Sequence, residues 1–136
     1  MIRYKIYDRE NCDTILFLHG ALVSKSMWKN QIVFFKKDYR IIVVDLPEHG
    51  DSKVIDGEYT IEKIVSEIHL LTKHIGIEEF IVCGHSLGGM VAQFFAFKYP
   101  KQVKKLILAE TAFGTKNNLY EKIMSVVSIV LMRLSP

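Results

Sequence analysis

The sequence predicts an α/β fold, a mostly parallel sheet with helices on both faces, and two observations carry that expectation. Four short runs, "TILFLHG", "RIIVVDL", "EFIVCGH" and "KKLILAE", are continuously apolar rather than alternating, which is how strands covered on both faces read. Between them the apolar residues recur at helical spacing. Strands alternating with helices favour right-handed crossovers and hence parallel pairing. At 136 residues the chain should bury roughly two-thirds of its unfolded surface around one core.

The elements follow in order. The opening "MIRYKIYDRE" is charged and has no apolar signal region, so a cytoplasmic protein is expected. After "TILFLHG", a helix is predicted from about Ser26 to Lys37, presenting Met27, Ile32, Phe34 and Phe35 around Trp28. After "RIIVVDL", Thr60 is a candidate N-cap for a helix whose apolar stripe is Ile61, Ile64, Val65, Ile68, Leu71 and Ile75, with Gly76 as the stop. His69 and His74 belong to that helix and read as ordinary surface or flank residues, since nothing at this spacing pairs them as a metal site. After "EFIVCGH", Leu87, Met90, Val91, Phe94 and Phe95 form a core stripe, and Pro100 ends the helix.

Composition narrows the function classes. Hydrophobic residues are 49% of the chain and charged residues 24%, as in soluble globular proteins. The net charge of +3 is spread among interspersed acids and is not a nucleic-acid footprint. Cys12 and Cys83 form no disulfide framework and no C-x-x-C pair; Cys83 reads as a small buried core residue. No run is long enough to span a bilayer, the longest being Ile123 to Met132. The sequence offers no metal cluster and no cofactor requirement. "GHSLGG" lacks the G-x-G-x-x-G order and a following P-loop lysine, which argues against a nucleotide site.

The segment that carries chemistry is Gly84-His85-Ser86-Leu87-Gly88. It fits G-x-S-x-G, in which a serine sits on a tight strand-to-helix corner with its hydroxyl exposed. Gly84 and Gly88 are then small because a side chain at either would meet the crossing backbone. By itself the pattern fits equally well a turn whose serine only caps the helix. Two further strand ends decide between them: His19-Gly20-Ala21 after "TILFL", and "DLPEHGDS" from Asp45 to Ser52 after "RIIVV".

Together these three motifs resemble the α/β-hydrolase superfamily, particularly its serine-nucleophile esterase, haloperoxidase-like and lipase-like branch, over nearly the whole chain. The resemblance implies Ser86 as nucleophile and backbone N–H groups of Leu87 and Ala21, with Leu22 as the alternative to Ala21, as donors to a developing oxyanion. His19, Gly20, Gly84, His85 and Gly88 are implied to shape the elbow and its loop, and His49 to be structural. No histidine lies where the family carries its general base. The family order is serine, acid, histidine, and Glu110 is the one acid at a strand end beyond the serine; it reads either as that acid or as a residue that closes its strand. The sheet is accordingly expected to stop after the sixth family strand, with the rest of a complete member following. Without its base a triad keeps only on the order of 10³–10⁴-fold enhancement over water, so this chain alone is expected to be weakly active or inactive.

Residues 1–116 are assigned to the N-terminal part of the hydrolase core, and 117–136 to a helix that either opens a cap over the site or covers the sheet. The expected partners are a small-molecule ester or acyl substrate, with no nucleic acid and no membrane. The last strand is expected to be an open edge that invites a companion segment or self-association. A non-catalytic binding module, an acyltransferase and a carbon–carbon bond hydrolase are the other functions the same motifs allow.

Overall fold

Branched and aromatic residues make up most of the strands, and apolar residues at helical spacing form the helices between them. The computed structural model describes residues 2–10 and 12–112. The strands are β1 (Arg3–Tyr7), β2 (Thr14–Leu18), β3 (Arg40–Asp45), β4 (Phe80–His85) and β5 (Val103–Ala109), and the helices α1 (Lys29–Phe35), α2 (Ile61–His74) and α3 (Leu87–Lys98). They form one sheet in the order β1-β3-β2-β4-β5. All pairs are parallel except β1 with β3.

Period-two alternation sends successive side chains to opposite faces, and each face has its own cluster. Leu16, Leu18, Ile42, Val44 and Val82 pack under α2 and α3 against Ile64, Ile68, Val91 and Phe95. Ile15, Phe17, Ile41, Val43 and Ile81 meet Trp28 and Ile32 on the other side. Helices thus cover both faces of the central strands. The Thr60 side chain accepts from the Lys63 N–H at 3.2 Å and starts α2. Gly76 at φ +71° turns the chain out of it, the left-handed conformation that glycine adopts without a Cβ clash.

Three features depart from the sequence reading. β1 is an additional strand, antiparallel to β3 at the sheet edge. The helix expected from Ser26 to Lys37 is a 3-10 turn at Lys25–Trp28 followed by the short α1, and Phe34 is 69% exposed rather than core-facing. β5 reads as a strand covered on both faces, yet among the described residues it pairs with β4 alone, and its Leu106, Ile107 and Leu108 are 39–46% exposed. The helix read over 117–136 lies outside the described residues.

Candidate active site

The corner between β4 and α3 is tight enough to need glycine on both sides of Ser86. At Gly84 a Cβ would run into the Gly88 carbonyl and come within 2.7 Å of the Gly89 Cα; at Gly88 it would meet the Leu18 and His19 carbonyls. Only glycine fits either place. Between them Ser86 is held at φ +50°, ψ −115°, a conformation that costs a non-glycine residue on the order of 1–3 kcal/mol and lasts only where the surroundings impose it. Here the restraints are visible. The Ser86 N–H donates to the Ala109 carbonyl at 3.1 Å, and its carbonyl accepts from the Gly89 N–H at 2.9 Å and the Met90 N–H at 3.1 Å. The Thr111 hydroxyl adds a third bond to that carbonyl at 2.7 Å. Ser86 is half-buried, and its side chain makes no capping hydrogen bond to α3. The helix-cap reading of the serine therefore fails.

The loop after β2 lies against this corner. A Cβ on Gly20 would sit 3.3 Å from Ser86 Cβ and 2.8 Å from His85 Nδ1. His19 is fully buried; its Nε2 accepts from the Leu46 N–H at 2.9 Å, which leaves Nδ1 protonated and donating to the Gly20 carbonyl at 2.6 Å. Both ring nitrogens are thus committed. Burial, the largest influence, keeps the imidazole pKa below its ordinary value. Ala21 is half-buried, and Leu22 follows at φ +63°. Among the described residues neither the Ala21 nor the Leu87 N–H has a hydrogen-bond acceptor.

The loop after β3 supplies the frame. The Asp45 side chain is fully buried, yet it accepts from the Lys25 N–H at 2.7 Å, from the Lys25 ammonium at 2.5 Å and from the Asp51 N–H at 3.0 Å. Burial alone would raise the carboxyl pKa; the hydrogen bonds from Lys25 and Asp51 outweigh it and hold the group below its ordinary value. The Lys25 ammonium also reaches Asp51 at 2.8 Å. Gly50, at φ +52°, leaves the space in which the Asp45 carboxylate sits.

The remaining sequence candidates take other places. His85 Nε2 lies 3.5 Å from Glu110 Oε2, and the Glu110 carboxylate is 89% exposed. Glu110 itself sits at φ +45° just after β5. His49 is buried, donates through Nδ1 to the Pro47 carbonyl at 2.8 Å and stacks near His19, ring centres 5.2 Å apart. His69 stacks flat on Tyr99 at 3.9 Å and bonds Gln102, while His74 is exposed on α2. All five histidines of the chain are thus accounted for, and none hydrogen-bonds Ser86. Cys83 is buried and its thiol pKa is pushed up by that burial to about 11, an inert core thiol. Among the described residues no cluster of three metal-ligating side chains occurs, and no helix is long and apolar enough to cross a membrane.

Sequence reasoning missed Lys25 and Thr111. Each acts through a contact with a residue remote in the chain, Lys25 with Asp45 and Thr111 with Ser86, and no local pattern announces such a pairing.

The profile of the alpha/beta hydrolase fold family matches residues 13–127. Among curated proteins, the chain is 29% identical over 111 residues to 3-oxoadipate enol-lactonase 2 of Acinetobacter baylyi, covering 82% of this chain and 42% of that protein. It is 30% identical over 96 residues to epoxide hydrolase 4 of Mus musculus, covering 69% of this chain and 27% of that protein. Among solved structures, a thermophilic esterase from Thermogutta terrifontis superimposes with a TM-score of 0.85 at 29% identity, covering 99% of this chain and 49% of that one. The chain spans less than half the length of each of these relatives.

Proposed function

The chain belongs to the α/β hydrolase fold family, and on that premise we propose that it carries the nucleophile half of an enzyme that cleaves carboxylic esters or related acyl bonds. The observation that carries the reading is the Ser86 hydroxyl, uncapped on a strained corner beside the His19–Gly20–Ala21 loop. In the proposed reaction Ser86 Oγ attacks the acyl carbon as its proton passes to a base, and the negative charge that develops on the carbonyl oxygen is met by the N–H groups of Leu87 and Ala21. Collapse expels the alcohol and leaves an acyl-serine, which water then hydrolyses. His85, His49 and the doubly bonded His19 shape the surrounding loops, and Glu110 closes its strand. The base and its acid are assigned to residues outside this sequence, because none of the five histidines here engages Ser86. The enol-lactonase and the esterase, both similar to this chain, support an acyl substrate. Epoxide opening in this family uses an aspartate at the elbow, and the residue here is Ser86.

One observation favours a second reading, a fold retained as a binding module: among the described residues no histidine hydrogen-bonds Ser86. A fluorophosphonate probe on the native-length protein separates the two. Labelling at Ser86 that is lost in Ser86→Ala supports the hydrolase. A folded protein that takes no label supports the binding module.

A further inference from the structure

The turn that carries Ala21 and Leu22 is held by its two flanks rather than by its own bonds. On one side the Leu46 N–H grips His19 Nε2 at 2.9 Å; on the other, Lys25 grips Asp45 through both its backbone N–H and its ammonium. Both grips come from the end of β3 and the residue after it. Between them Leu22 sits at φ +63°, a strained place for a leucine that persists only where the surroundings dictate it. The ammonium spans Asp45, fully buried, and Asp51, largely exposed, so it ties the loop after β2 to both the start and the far side of the loop after β3.

We propose that Lys25 is a positioning residue: by clamping onto Asp45 and Asp51 it fixes the strained Ala21–Leu22 turn so that the loop presents its amide to the oxygen bound at Ser86. The inference rests on Ser86 being the nucleophile. The side chain of Lys25 bonds Asp45 and Asp51 and not Ser86. Its effect is geometric, and a donor displaced by a fraction of an ångström loses much of its stabilisation of the transition state while leaving ground-state binding largely intact.

The test is steady-state kinetics on the native-length protein with a p-nitrophenyl ester, alongside urea midpoints. Lys25→Met should lower kcat by about tenfold or more with KM within about twofold, the signature of an interaction made only in the transition state. Lys25→Arg, which keeps the charge, should recover most of that loss. Lys25→Met leaves Asp45 buried without its cation, so the double variant Lys25→Met/Asp45→Asn decides if the single one misfolds. It removes both charges together, and the Asn oxygen keeps one of the two backbone N–H bonds, which Asp45 accepts through different oxygens. A kcat loss in the folded double variant supports the clamp. Unchanged kcat in either folded variant, or a change in stability alone, overturns it. An unmodified protein with no turnover would instead contradict the Ser86 reading, so the two failures are distinct.

Discussion

The Thr111 hydroxyl donates to the Ser86 carbonyl at 2.7 Å, tying the chain that leaves β5 to the corner that holds the serine. Gly89 makes this possible, because a Cβ there would lie 2.5 Å from the Thr111 Cβ and Oγ1. Gln93 on α3 strengthens the tie by donating to the carbonyls of Gly89 and Ala112. The strained corner is therefore restrained from two directions, by its own helix and by the strand beside it.

Thr111→Val should lower stability by about 1 kcal/mol, the net worth of one hydrogen bond, and should slow phosphonate labelling of Ser86 beyond what the loss of stability explains. Thr111→Ser keeps the donor and should label at nearly the original rate. Urea midpoints and labelling rates on the same preparations check both. Equal labelling rates for valine and serine variants would show that the bond does not shape the corner.

Gly88→Ala places a methyl group against the Leu18 and His19 carbonyls, which belong to the end of the sheet and cannot rotate away. A destabilisation of about 1–3 kcal/mol, the range for forcing atoms into filled space, is expected in urea unfolding. A midpoint within error of the parent would mean that α3 shifts freely on the sheet, contrary to the packing described.

Acid should weaken the fold in two stages. His19 is held neutral, with its folded pKa below the ordinary 6.5. Below that pH the unfolded chain binds the proton more readily than the folded one, so stability is full above about 6.5 and declines as the pH falls toward the folded value. Asp45, with a folded pKa below the ordinary 3.8, contributes fully above about 4 and is lost as the pH drops through its folded value. Urea midpoints measured from pH 8 to pH 3 should show both declines. His19→Gln, whose amide oxygen reaches the Nε2 position near the Leu46 N–H, should flatten the first. A flat profile between pH 7 and 5 in the parent would contradict the buried, neutral imidazole.

The parts of this molecule that were legible in the sequence are those fixed by local sterics. Gly84 and Gly88 announce the corner because any Cβ there collides with backbone, and Thr60 and Gly76 announce the ends of α2 because capping and positive φ are single-residue demands. β1 was not legible: "RYKIY" mixes charged and apolar residues, and its pairing with β3 is antiparallel at an edge that only the assembled sheet reveals. Phe34 looked like core because phenylalanine usually is, but α1 is too short to turn all its apolar residues inward. The clamp between Lys25 and Asp45 joins residues 20 apart in the chain, and such a contact leaves no periodic trace.

The most direct measurement is the structure of the native-length protein after reaction with a phosphonate probe. The account predicts phosphorus bonded to Ser86 Oγ, with the phosphoryl oxygen roughly 2.7–3.1 Å from the N–H groups of Leu87 and Ala21. An adduct on another residue, or a phosphoryl oxygen turned away from both amides, would contradict it.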